Sequence, residues 1–166
     1  QMDVELEPTE EPKADPWNAY YCVRFAWADD AAEIFRTLHQ TRVPCGTKKF
    51  EAPQYFEVAN EKQRMSILTG GLPFHRRHDN RMVDTILITR HERQRRFRLG
   101  IGVDLSHPLL EATALLAPTP VVPCAAAPAS GTSGWLFHID ARNVIATHWE
   151  PVVEGGRVVG VRVRLL

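Results

Sequence analysis

Residues 70–79 gather more reactive chemistry than any other stretch of this 166-residue chain: His75, Arg76, Arg77, His78 and Asp79 follow Gly70, Gly71 and Pro73. Two imidazoles three residues apart with an adjacent carboxylate are a donor set that could hold a metal ion, which makes His75 and His78 weak ligand candidates. Glycine and proline put them on a loop, where such spacing carries little geometric information. The guanidiniums of Arg76 and Arg77 could instead grip a carboxylate or sugar hydroxyls, because a planar fork of donors matches those groups. A third reading is a polar turn or an interface with a neighbouring domain. Trp17 and Trp135 add flat apolar rings on which a sugar could stack, so Arg76, Arg77, Asp79, Trp17 and Trp135 are the candidate glycan contacts. No catalytic residue is expected. His91, His107, His138 and His148 are dispersed, and Ser130-Gly-Thr-Ser-Gly134 lacks the strand-turn-helix setting of a nucleophile elbow. Gly100-Ile-Gly102 lies within a strand pattern and is no phosphate loop.

Charge and composition narrow the partners. Twenty basic and twenty acidic side chains cancel, so the long-range field that draws a protein to nucleic acid is missing. No run approaches the ~20 consecutive apolar residues of a membrane span. Neither nucleic acid nor membrane is expected as a partner. Cys22, Cys45 and Cys124 are odd in number and widely spaced, which fits free thiols better than a disulfide framework or a zinc cluster.

The elements that must position these residues read as β-structure. Residues 1–16 are acidic and proline-containing, the composition of a mobile tail or flexible linker. From Trp17 to Trp27 aromatic and apolar residues alternate with others, the period of a strand with one buried face. Asp29-Asp30 followed by Ile34, Phe35 and Leu38 predicts one short helix over residues 30–38. Strand patterns return at 54–58, 65–69, 83–89, 96–104, 135–139, 143–149 and 158–166. Residues 106–116 are open between a helix started by Pro108 and an irregular crossover, and 117–134 form a Pro/Ala/Gly-rich loop. Short strands divided by turns without a βαβ rhythm predict an all-β, antiparallel sandwich over residues 17–166. Val23, Phe25, Phe97, Leu99, Ile101, Val161 and Val163 are its expected core. Val161, Val163 and Leu165 still alternate with Arg162 and Arg164 at the last residues, so the chain reads as a piece of something longer.

Those final strands also carry a resemblance. Asn143-Val-Ile-Ala-Thr-His-Trp149, a glycine-containing turn and Gly160-Val-Arg-Val-Arg-Leu-Leu166 resemble the carboxyl-terminal stretch of family-38 glycoside hydrolases, the α-mannosidases, and residues 135–140 fit the strand leading into it. Arg76 and Arg77 look like the His-Arg-Arg of some members. The resemblance implies a β-sandwich of the galactose mutarotase-like supersandwich type, non-catalytic, packed against the catalytic and helical domains of its parent chain and in contact with carbohydrate. It places the metal, zinc, and the nucleophile in an amino-terminal domain and no cofactor here. A free-standing carbohydrate-binding module and a small metal-dependent hydrolase using residues 75–79 are the alternatives.

Overall fold

The computed structural model describes residues 1–79, 81–117, 121, 123, 125, 126, 137–141 and 143–166. The chain divides into two compact units, Gln1–Pro118 and Thr119–Leu166, so the division falls near residue 118 and not at residue 16. All strand pairs are antiparallel, as expected of an all-β sandwich with a short helix.

In the first unit, β1 (Met2–Glu5), β10 (Arg96–Val103), β7 (Arg64–Leu68), β6 (Tyr55–Ala59), β3 (Glu33–Leu38) and β4 (Thr41–Pro44) form a six-stranded sheet in that order. A four-stranded sheet runs β2 (Tyr21–Ala26), β9 (Met82–Ile88), β8 (Phe74–His78), β5 (Lys49–Glu51). Between them lies the core: Phe25, Phe50, Val83 and Leu87 from one sheet meet Ile34, Phe56, Val58, Ile67, Phe97 and Leu99 from the other. The helix α1 (Pro108–Leu116) covers the opposite side of the six-stranded sheet, where Ala112, Leu109 and Leu115 pack on Tyr55 and Leu68. Pro108 stands in its first turn, where a missing N–H costs nothing. A β-carbon at Gly102 would come within 2.3 Å of the Leu105 Cδ1, so the leucine side chain would have to shift to admit one.

Several expectations change. Residues 30–38 are not helical: Glu33–Leu38 is a strand with ladders on both sides, to β4 and β6. Asp29 caps only a turn, accepting from the Ala31 amide at 2.8 Å, and two ladders outweigh the weak preference of so short a helix. The acidic start is no mobile tail over Met2–Glu5, because β1 pairs with Arg96–Leu99 and its Asp3 and Glu5 meet Arg98 and Arg96 at 2.8 and 2.9 Å. The strand expected from residue 17 begins at Tyr21. Ile101 is 49% exposed, because the second sheet covers that face of β10 only as far as Leu99.

The second unit contains a hairpin, β11 (Ala146–Glu154) and β12 (Arg157–Leu165). Gly155 and Gly156, both at positive φ, make the two-residue turn. The strand expected over 135–139 is not formed by its described residues 137–139. Val161 is exposed, Val163 half-buried. The stretch 117–134 lies largely outside the described residues, as does Trp135.

Candidate functional site

Strand register places a row of charged side chains on the outer face of the four-stranded sheet. Arg24 of β2 stands opposite Asp84 of β9, Asp84 opposite Arg76 of β8, and Arg76 opposite Lys49 of β5. Side chains directly opposite share a face. Over this row lies the turn at residues 15–20, closed by Asp15, whose carboxylate accepts from the Trp17 amide at 3.0 Å and the Asn18 side chain at 2.5 Å.

Beneath the turn Asp84 is fully buried, a cost that only strong partners offset. Arg24 grips it with two parallel bonds, Nε to Oδ1 at 2.6 Å and Nη2 to Oδ2 at 2.9 Å. Tyr20 donates its hydroxyl to Oδ2 at 2.8 Å, and His78 Nε2 lies 2.8 Å from the same oxygen and 3.0 Å from the tyrosine oxygen. A carboxylate only accepts, so His78 presents Nε2–H. Burial alone would raise the Asp84 carboxyl; the bonds from Arg24 and Tyr20 and the charges of Arg24 and His78 outweigh it and hold it below the usual carboxylate range. Its neighbours shift the other way. Burial, then the Asp84 hydrogen bond, push the Tyr20 phenol up to about 12. Burial and the Asp84 charge push the Cys22 thiol up to about 12.

The segment expected as a loop at 74–78 is strand β8, and its alternation separates the two histidines. Three residues apart on a strand, they face opposite sides of the sheet. His75 points into the core against Phe50 and Phe56, with ring centroids 5.2 and 4.9 Å away. Its Nε2 must donate to the Ala52 carbonyl at 3.2 Å, so its Nδ1 accepts from the Thr85 hydroxyl at 3.1 Å. Burial lowers this imidazole to about 4. The pair therefore does not converge on one ligand, and among the described residues no three of His, Cys, Asp and Glu form a metal-holding group.

The other candidates fall into two groups. Arg76 donates to the Trp17 carbonyl and, at 3.0 Å, to Asn18 Oδ1. Trp17 meets Phe74 edge to face at 5.8 Å, and Lys49 Nζ stands 5.2 Å from its ring centroid. Phe74 is 44% exposed. Arg77 lies instead beside Asp79, with Nε donating to the Asp79 carbonyl at 3.3 Å. Asp79 opens onto a shallow cleft with Trp27, Asp30 and Arg81. The arrangement suits holding and stacking. Its one buried carboxylate is held ionised and fully bonded, and Tyr20, Cys22 and His75 are shifted away from neutral pH, where a general acid or base works best. Sequence reasoning missed the Tyr20–Arg24–Asp84 network. Its one legible signal was Asp84, a lone carboxylate inside the apolar run 83–88 that a central strand must bury with a partner.

Compared with known proteins, the chain matches no family model. No curated protein and no solved structure matches it either.

Proposed function

We propose that this chain is a non-catalytic β-sandwich domain of a larger glycoside hydrolase similar to the family-38 α-mannosidases, scaffolding its catalytic domain and touching glycan. The observation that carries the glycan contact is the Trp17–Phe74 ring pair, flanked by Lys49 and Arg76 on the outer face of the four-stranded sheet. Rings stack on the apolar face of a sugar, and cationic donors beside them bind its hydroxyls. The scaffolding role draws on the resemblance of residues 143–166. A free-standing carbohydrate-binding module is the second reading, favoured by the same exposed Phe74.

An NMR titration with mannose and mannobiose, beside a nitrophenyl mannoside assay with and without zinc, tests both. The expected result is millimolar binding, about 4 kcal/mol, with shifts at Trp17 and Phe74 that vanish in Trp17→Ala, and no turnover. Micromolar affinity would promote the binding module. Zinc-dependent turnover lost in His78→Ala would overturn the non-catalytic reading, and unmoved Trp17 resonances at saturating sugar would remove the glycan contact.

A further inference from the structure

Asp84 carries more bonds than its own ladder requires. Arg24 stands opposite it in the β2–β9 pair and already meets both carboxylate oxygens. Tyr20 comes before β2, which begins at Tyr21, so its hydroxyl bond to Asp84 Oδ2 ties down the preceding turn and not a strand. Residues 16–19 of that turn belong to no strand. Their internal bonds close on Asp15, from the amides of Trp17, Asn18 and Ala19 and from the Asn18 side chain. Such bonds fix the shape of the turn and leave its place over the sheet open.

That place is set by side chains of β8 and β9. Arg76 donates to the Trp17 carbonyl and, at 3.0 Å, to Asn18 Oδ1, which holds the middle of the turn. Asp84 holds its end through Tyr20, with His78 Nε2 3.0 Å from the tyrosine oxygen. Between these anchors the Trp17 ring meets Phe74 edge to face at 5.8 Å. Asp84 is fully buried, and for stability alone well-packed apolar side chains often serve as well as a buried ion pair. A buried carboxylate that reaches beyond its ladder to a turn gains its purpose from the placement it enforces.

We infer that Tyr20, through its bond to Asp84, is a positioning residue for the Trp17 ring, holding the turn so that the ring stands against Phe74 before a sugar arrives. The value of that placement for sugar binding rests on the glycan reading above; the placement itself does not. A ligand that needs the placed ring binds in proportion to the fraction of molecules that present it. Loosening the turn therefore weakens binding while every sugar-contacting side chain is kept.

Tyr20→Phe keeps the aromatic ring and removes the hydroxyl, leaving Asp84 to Arg24 and His78. In NMR spectra of the full chain without sugar, nuclear Overhauser contacts between Trp17 and Phe74 should weaken and the Trp17 indole resonance should move, with that of Trp27 in place. If the ring is placed in about one fifth of molecules, the dissociation constant for mannobiose rises about fivefold. Ile67→Val, a loss in the fully buried core, should lower the unfolding midpoint yet leave the Trp17 contacts and the mannobiose constant as in wild type. Unchanged Trp17–Phe74 contacts in Tyr20→Phe overturn the inference, as does an equal weakening in Ile67→Val. Weakened contacts with an unchanged mannobiose constant overturn it as well. A wild-type chain that binds no mannobiose removes the glycan reading alone, and the sugar-free contacts still decide the placement.

Discussion

His75 and Asp84 face opposite sides of one sheet, and their partners make burial act on them in different ways. The imidazole has the Thr85 hydroxyl and the Ala52 carbonyl for company, neither of which favours its charged form enough to offset lost hydration, so it stays neutral to about 4. The carboxylate has a guanidinium, and stays charged. In the unfolded chain an imidazole takes up its proton near 6.5. Between that value and about 4 the unfolded state binds a proton that the folded state refuses, so stability falls as pH falls. The loss from His75 is on the order of 3 kcal/mol. Asp84 acts lower. Its folded-state value lies below its unfolded one, so its contribution is present above the ordinary carboxylate range and is lost only as pH falls through the lowered value. His75→Gln should therefore be less stable at neutrality yet flatter between pH 6.5 and 4. Urea midpoints across that window measure it, and an unchanged slope would mean that the imidazole is free to protonate in the fold.

Secondary structure follows ladder availability more than local preference in two places. Over residues 30–38 apolar spacing is compatible with a helix, and over 74–78 the flanking glycines and proline suggest a loop, yet both segments are strands because partners lie beside them. The β3–β4 hairpin turns at His39 and Gln40, at φ 48° and 64°. That is the left-handed pair a twisted hairpin requires, and side chains there are strained. Asn-Gly adopts the same turn without that strain, so His39→Asn with Gln40→Gly should stabilise the protein by about 1 kcal/mol. Thermal unfolding of the double variant checks this, and a lowered midpoint would show that the two native side chains contribute contacts of their own.

The two sheets of the first unit share one core, with Phe56 in edge contact with Phe25 and Phe50 at 6.2 and 5.7 Å. Position along a strand decides what a residue is worth. Phe97 and Ile101 lie on the same side of β10, but only the first is covered. Phe97→Ala should cost roughly 3 to 5 kcal/mol through lost burial and a cavity. Ile101→Ala should cost under about 1 kcal/mol. Denaturant midpoints of the two variants give the comparison, and equal losses would mean that the sandwich extends past Leu99.

Alternation in Phe97–Leu99 and in Val158–Leu165 was readable without coordinates, as were the all-β class and the Gly155–Gly156 turn, because period-two patterning and positive-φ turns are properties of neighbours in the chain. The aromatic run up to Trp27 announced a buried face, but not that Trp17 would leave the strand and lie over the opposite side. The charged residues of 75–79 were visible as a cluster; their division into a core imidazole, an Arg76 arm under the turn and an Arg77–Asp79 pair was not. Asp84 pairs with residues 60 and 64 positions away, Arg24 and Tyr20. Contacts of that separation arise when β2 and β9 align in register, a choice made by the packing of both sheets together, and no local spacing encodes it.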